Sequence, residues 1–249
     1  MSPLYPLRNI CNKNIILYIF LLFPYVSPSS AADFYGKLMI GMGWTNGGKD
    51  NQMFVSGAGS PIYDNFTDDN EYHSSINAGF EVGVNLDFVY PISVGIGYYA
   101  LDDFKQTGHI NELGDSRFRN YAYQYQLSSQ RLILDAAIHF PQEKFTPYAS
   151  IGAGYAWNKF SNYHDWVIDP NTKPEETPFE NKESSGFTWQ VGIGIYYPVL
   201  SDLMFELSYN FVNLGNSPSG RDKSGYYLGD LKTDNLLSHQ IMLGIRHVF

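Results

Sequence analysis

The sequence predicts an all-β fold: an eight-stranded antiparallel transmembrane β-barrel with four long extracellular loops and short periplasmic turns. Three observations carry that expectation. Segments of polar and apolar alternation recur along the chain, their polar faces are crowded with glycine, and the connections between them are long and short by turns. Composition agrees. Aromatic residues are 16% of the 249 and there are 23 glycines, a mixture that suits pleated strands and weakens helices. Hydrophobic residues reach 44% while the mean hydropathy is only −0.25, so the apolar residues are dispersed rather than gathered into helical spans. A formal charge of −9 argues against nucleic acid as a partner, because a phosphate binder needs a basic face. A sole cysteine, Cys11, excludes a disulfide framework.

Residues 1–32 read as a cleaved signal peptide. Arg8 and Lys13 precede an uninterrupted apolar run over 15–23, and 27–32 supplies small residues for cleavage near Ala32. The run is about half the ~20 residues of a spanning helix, which favours export over anchoring. Cys11 lies before the run, whereas a lipid-modified cysteine would follow it. Loss of Arg8 and Lys13 from the 16 basic residues would leave 33–249 as the barrel domain, more acidic still.

Strands are expected at 33–44, 76–88, 92–101, 129–140, 147–157, 187–197, 203–213 and 237–249. The second is the clearest. Ile76, Ala78, Phe80, Val82, Val84, Leu86 and Phe88 share one face, and Asn77, Gly79, Glu81, Gly83, Asn85 and Asp87 share the other. Long connections are expected at 45–75, 102–128, 158–186 and 214–236, and short turns near 89–91, 141–145 and 198–202, the asymmetry of outer-membrane barrels. Two further features turn the apolar face outward into lipid. Glycines such as Gly79, Gly83, Gly95, Gly97, Gly152, Gly192 and Gly194 fill the polar faces, as a narrow interior requires. Aromatics gather at both ends of the apolar faces, with Trp44, Tyr98, Trp157, Phe187, Trp189, Tyr209 and Phe211 at one rim and Phe88, Phe140, Tyr197 and Phe249 at the other, as interfacial girdles do.

Segments 146–155 (TPYASIGAGY), 187–195 (FTWQVGIGI) and 203–215 (LMFELSYNFVNLG) resemble the small outer-membrane β-barrel family of opacity-type surface proteins and OmpA-like transmembrane domains. The resemblance implies a Gram-negative outer-membrane location, with outer-membrane lipid and the assembly machinery as partners. It also implies an assembly signal in the last strand, where Ile241, Leu243, Ile245 and terminal Phe249 share the outward face. His247 stands where that signal usually has an aromatic residue. Since the chain stops at Phe249, no peptidoglycan-binding domain is expected, and with it no tethering role.

The polar faces carry Lys37, Glu81, Asp87, Arg131, Asp135, His139, Glu206 and Arg246. An isolated charge away from water is costly, so inside a barrel these should pair. Glu206 and Arg246 fall on neighbouring strands, with Lys37 near them once the first and last strands meet. Such a network is either a static plug or a gate, and a barrel of this size is about wide enough for its side chains alone.

Enzymatic chemistry is not expected. Ser238 and His239 are adjacent on a strand and therefore point to opposite faces, and the six histidines show no metal-ligand spacing. No cofactor is implied. Asp68, Asp69 and Glu71 could bridge a divalent cation, but they lack a calcium-loop spacing and read as a solvated acidic face. Loop aromatics, chiefly Phe66, Tyr72, Tyr163 and Trp166, are candidate contacts for a host or envelope protein; extension of the sheet above the membrane is the competing reading, as alternation over 121–127 suggests. The expected role is a non-enzymatic surface protein with structural or loop-mediated adhesive function. The alternative is a small gated channel for ions or small solutes.

Overall fold

A computed structural model describes residues 32–57, 62–69, 72–172 and 179–249; of the expected leader, only Ala32 falls among them. Period-2 alternation makes strands, and the described residues form eleven in one antiparallel sheet. In chain order these are β1 (Ala32–Asn46), β2 (Asn51–Val55), β3 (Tyr63–Asp68), β4 (His73–Leu86), β5 (Ile92–Asn111), β6 (Arg119–His139), β7 (Thr146–Val167), β8 (Lys182–Pro198), β9 (Leu203–Asn213), β10 (Tyr227–Leu228) and β11 (Leu237–Val248). Eight of them, β1, β4 to β9 and β11, close into a ring. The seam is the β1–β11 pairing, which runs in register from Tyr35 opposite Val248 to Asn46 opposite Leu237.

The faces divide as the alternation requires. Ile76, Ile96, Leu134, Ile151, Ile193, Ile241, Leu243, Ile245 and Phe249 are exposed on the outside, while Lys37, Glu81, Arg131, Glu206 and Arg246 are buried within. Glycine makes that interior possible. A Cβ at Gly194 would lie 2.6 Å from the Tyr148 ring, one at Gly97 2.6 Å from Tyr99, and one at Gly83 2.7 Å from Tyr35. Each tyrosine occupies space that a facing glycine vacates.

The strands overrun their expected ends. A spanning β-strand needs about 9–11 residues, yet β5, β6 and β7 have 20, 21 and 22. The expected loop 102–128 therefore shrinks to the turn at 112–118. The alternation over 121–127 marked the continuation of β6, whose buried face keeps one phase to His139; on its neighbours the alternation slips, where the β5–β6 ladder shifts between Leu101 and Phe104 and the β6–β7 ladder shifts between Gln124 and Gln126, beside Asn162 at φ +53°. Beyond each slip the buried face of β5 or β7 resumes one residue out of step.

The other long connections are folded as well. β3 pairs with the far end of β5, β2 with β3, and β10 with β2. Residues 214–236 cross the mouth, held by Leu214 N–H to Leu236 C=O, Leu236 N–H to Gly215 C=O and Ser219 N–H to Leu231 C=O. Beneath them lies an apolar core that includes Phe66, Leu127, Phe160, Val212, Leu214 and Leu236.

Replacing Gly194 by Val forces a side chain into the Tyr148 ring and should cost about 1–3 kcal/mol of stability, whereas Ile193→Val on the outer face should cost less. The fraction of unboiled protein that keeps its heat-sensitive gel mobility measures both; equal losses would mean the inner face is not tightly packed.

Candidate functional site

Lys37 of β1 stands at the centre of the lumen because its cross-strand partners are Glu81 on β4 and Arg246 on β11. Its Nζ lies 3.2 Å from Glu81 Oε2 and 3.5 Å from Glu206 Oε2, with all three side chains buried. Tyrosines complete the layer. Tyr35 and Tyr99 donate to the two Glu81 oxygens at 2.7 and 2.8 Å, and Tyr148 donates to Glu206 Oε1. One cation between two carboxylates, with three phenols filling remaining lone pairs, satisfies charges that burial would otherwise penalise.

Glu206 and Arg246 do not pair as expected. Glu206 lies opposite Gly244 and Arg246 opposite Met204, so the two are offset by two residues along the inner face. Lys37 fills the gap. Arg246 instead stacks over the Tyr35 and Tyr196 rings at 3.8 and 4.9 Å and donates to Asn85 Oδ1. Asp87 is also corrected: β4 ends at Leu86, and Asp87 sits exposed in the following turn, outside the lumen.

The remaining inward charges occupy separate levels. Asp135 accepts from Gln190 Nε2 at 2.8 Å. The His139 ring contacts Ser93 Oγ at 2.9 Å and lies against Tyr148 and Tyr196. Arg131, 1% exposed, donates to Gln240 Oε1 at 2.9 Å and covers the Tyr99 ring at 4.6 Å. Gln240 also accepts from Asn77, and Thr45 donates to Ser238 at 2.9 Å, so an amide and hydroxyl layer separates the charges from the apolar core.

The four loop aromatics separate into two kinds. Phe66 is fully buried, packed edge-on to Phe179 at 6.1 Å and Tyr227 at 5.2 Å. Tyr163 is half-buried against Phe179. These two therefore build the cap rather than face a partner, because extension of β5 to β7 places them inside it. Tyr72 and Trp166 are exposed. The cap has its own polar anchor: Tyr227 donates to buried Asp64 at 2.8 Å. Burial, and then the Asp64 carboxylate, push that phenol well above its ordinary value, so it stays protonated and donates.

Ser238 points inward and His239 outward, where His239 meets the Tyr209 hydroxyl at 2.6 Å. Among the described residues no three His, Cys, Asp or Glu side chains converge as a metal site. Asp68 and Asp69 do not turn toward a shared point: Gln106 donates to Asp68 Oδ1 and Thr107 to Asp69 Oδ2, each at 2.8 Å, while Glu71 lies outside the described residues. The residues that sequence reasoning missed are Tyr35, Tyr99, Tyr148 and Tyr196. Their signal was bulky aromatics on faces otherwise given to glycine.

The outer membrane protein beta-barrel domain family matches residues 18–245. The outer membrane protein PagN of Salmonella typhimurium (strain LT2) is 34% identical over 115 residues, 42% of this chain and 43% of its own. The chain thus spans less than half the length of the curated relative it matches. Among solved structures, the outer membrane protease OmpT from Escherichia coli superposes with a TM-score of 0.50 at 10% identity, over 90% of this chain and 99% of its own. Neisserial surface protein A (NspA) superposes with a TM-score of 0.47 at 13% identity, over 88% of this chain and 100% of its own. At these identities the likeness to the solved structures is one of fold.

Lys37→Met strands two buried carboxylates and should destabilise the barrel by about 3–5 kcal/mol, with most of the loss recovered when Glu81→Gln and Glu206→Gln are added. Glu206 and Arg246 touch only through shared neighbours, Tyr196 and Lys37, so Glu206→Gln should couple less strongly to Arg246→Met than to Lys37→Met. Urea midpoints in detergent measure all of these, and coupling of Glu206 to Arg246 as strong as its coupling to Lys37 would contradict the geometry.

Proposed function

The chain belongs to the outer membrane protein beta-barrel family and sits in the outer membrane of a Gram-negative envelope, and from that premise we propose that it is a non-enzymatic surface protein whose extracellular platform contacts other molecules. One observation carries the reading: β5, β6 and β7 run to about twice the spanning length and share a packed apolar core above the lumen. That extra length lifts their tips on the order of 20–25 Å above the membrane. A rigid scaffold that holds its contact residues at a distance suits recognition.

The tip of the β5–β6 hairpin supports this use. Leu113 is exposed and takes φ +54°, an uncommon conformation for a branched side chain. It is held there from below: Asp64 Oδ1 accepts from Leu113 N–H at 2.8 Å, and Asn65 donates to Gly114 C=O at 3.2 Å. Phe118, Trp166 and Ile168 are exposed alongside, with Ile168 N–H bonded to Asn120 C=O. Exposed aromatic and aliphatic anchors on a fixed backbone are what a protein partner buries. Ile241, Leu243, Ile245 and Phe249 form the outward stripe proposed to meet lipid and the assembly machinery.

The channel reading has less support. A path would have to pass the Lys37 layer, the Arg131 and Gln240 layer and the apolar cap in turn, and loss of one ion pair opens none of the others. The divergence of Ser238 from His239 likewise supports a non-enzymatic role.

Cells displaying a Leu113→Ser, Phe118→Ser, Trp166→Ser variant should adhere several-fold less to cultured epithelial cells than cells displaying equal amounts of the parent protein. Unchanged adherence would remove the tip from the contact surface. In planar bilayers neither the parent protein nor Lys37→Met should conduct; discrete single-channel currents from the parent would overturn the sealed-lumen reading.

A further inference from the structure

Arg131 stands apart from the other buried cations of the lumen. Lys37 has two carboxylates within 3.5 Å, and Arg246 lies toward the periplasmic end of β11 against two tyrosine rings. On β6, Ile133 shares a cross-strand row with Gly97, Glu81 and Lys37, so Arg131, two residues before it, lies on the extracellular side of the Lys37 layer. No carboxylate pairs with it there. Its Nη2 donates to Gln240 Oε1 at 2.9 Å and the Tyr99 ring covers one face, but Nε and Nη1 meet no acceptor among the described residues. A buried guanidinium with two N–H groups unbonded is costly.

Space adjoins those two groups. On the side away from Tyr99, Arg131 lies opposite Ala156 on β7, and Ala156 lies opposite Gly186 on β8, all on the inner face. Neighbouring strands are about 4.8 Å apart, which puts Gly186 roughly 10 Å from Arg131, backbone to backbone. A single methyl group stands between. Alone among the described glycines of the eight ring strands, Gly186 could carry a Cβ that meets no atom within 4 Å, whereas a tyrosine already fills the space facing Gly97 and Gly194. The inner face here is unfilled beside an unsatisfied charge.

We propose that this space binds one small monovalent inorganic anion of the halide type, held by Nε and Nη1 of Arg131. Charge sets the valence. The row carries no second cation, so a dianion would keep one charge uncompensated in the interior. The next inward carboxylate on β6, Asp135, is four residues away, roughly 13 Å along the strand, and is engaged by Gln190. Size sets the class: a space bounded by one methyl group and one glycine suits a bare ion rather than an organic acid with a carbon skeleton. Ser129, two residues along the same face, has a buried hydroxyl without a partner and can donate as well. Water suits the other unsatisfied atoms of this layer, Asn77 Oδ1 and Gln190 Oε1, because they are acceptors and need a donor. The two guanidinium N–H groups differ from these. They carry charge, and an anion neutralises it through charge-assisted bonds stronger than those to water.

The experiment uses the folded chain in neutral detergent and raises sodium chloride at the expense of sodium gluconate at constant ionic strength. One ion bound to the folded state alone should lower the unfolding equilibrium constant about ten-fold for each ten-fold rise in chloride above its dissociation constant. Arg131→Met should abolish that dependence by removing the charge, and Gly186→Leu should abolish it by filling the space while the guanidinium stays. Ile193→Val on the outer wall should keep it. Heat-dependent gel mobility verifies that each variant is folded, and Gly186→Leu carries the test should Arg131→Met fail to fold. Crystals grown in sodium bromide should show one anomalous bromine peak beside Arg131. A parent protein indifferent to chloride, as water alone at Arg131 would make it, would overturn the proposal. So would a chloride dependence retained by Gly186→Leu, or bromide found only on the protein surface.

Discussion

In hydrocarbon a backbone N–H or C=O without a partner costs several kcal/mol, and a sheet that crosses a membrane can have no free edge there. The pairing of β1 with β11, from Tyr35 opposite Val248 to Asn46 opposite Leu237, meets that demand. The rest of the structure depends on this closure. Eight strands enclose a space hardly wider than the side chains that fill it, and the inner face must then supply small residues wherever a large one reaches across. Tyr148 over Gly194 and Tyr99 over Gly97 are the result.

A narrow interior also dictates how charge is carried. Lys37 can remain buried only because Glu81 and Glu206 both reach it, and they in turn are held by phenols from three strands. Arg246 takes a different solution, with its guanidinium spread over two tyrosine rings. Above these layers the chemistry changes from polar to apolar, and the lumen ends beneath Phe66, Phe160, Leu214 and Leu236. Two closures of unlike chemistry lie in series.

Much of this was legible in the residues. Alternation over 76–88 fixed which side chains share a face, and glycine on the polar face pointed that face inward. The position of the inner charges followed from counting by two. Counting by two carried β6 beyond the membrane, because its buried face keeps one phase from Tyr121 to His139; it failed on β5 and β7, whose buried faces change phase between Leu101 and Phe104 and after Phe160, and Phe66, expected as a loop contact, is the centre of the cap. Asp87 was misplaced for a related reason, since alternation persists in the letters one residue after the strand has ended at Leu86.

The sequence by itself determined the fold class, the sidedness of each strand and the direction of the lipid-facing surface, because these depend on residue type and a period of two, both local properties of the chain. Only the tertiary structure decided that Glu206 meets Lys37 rather than Arg246 and that the long connections build a cored platform. Those outcomes depend on the register between strands distant in sequence, and an offset of two residues leaves every alternation pattern unchanged while exchanging the partner of every buried charge.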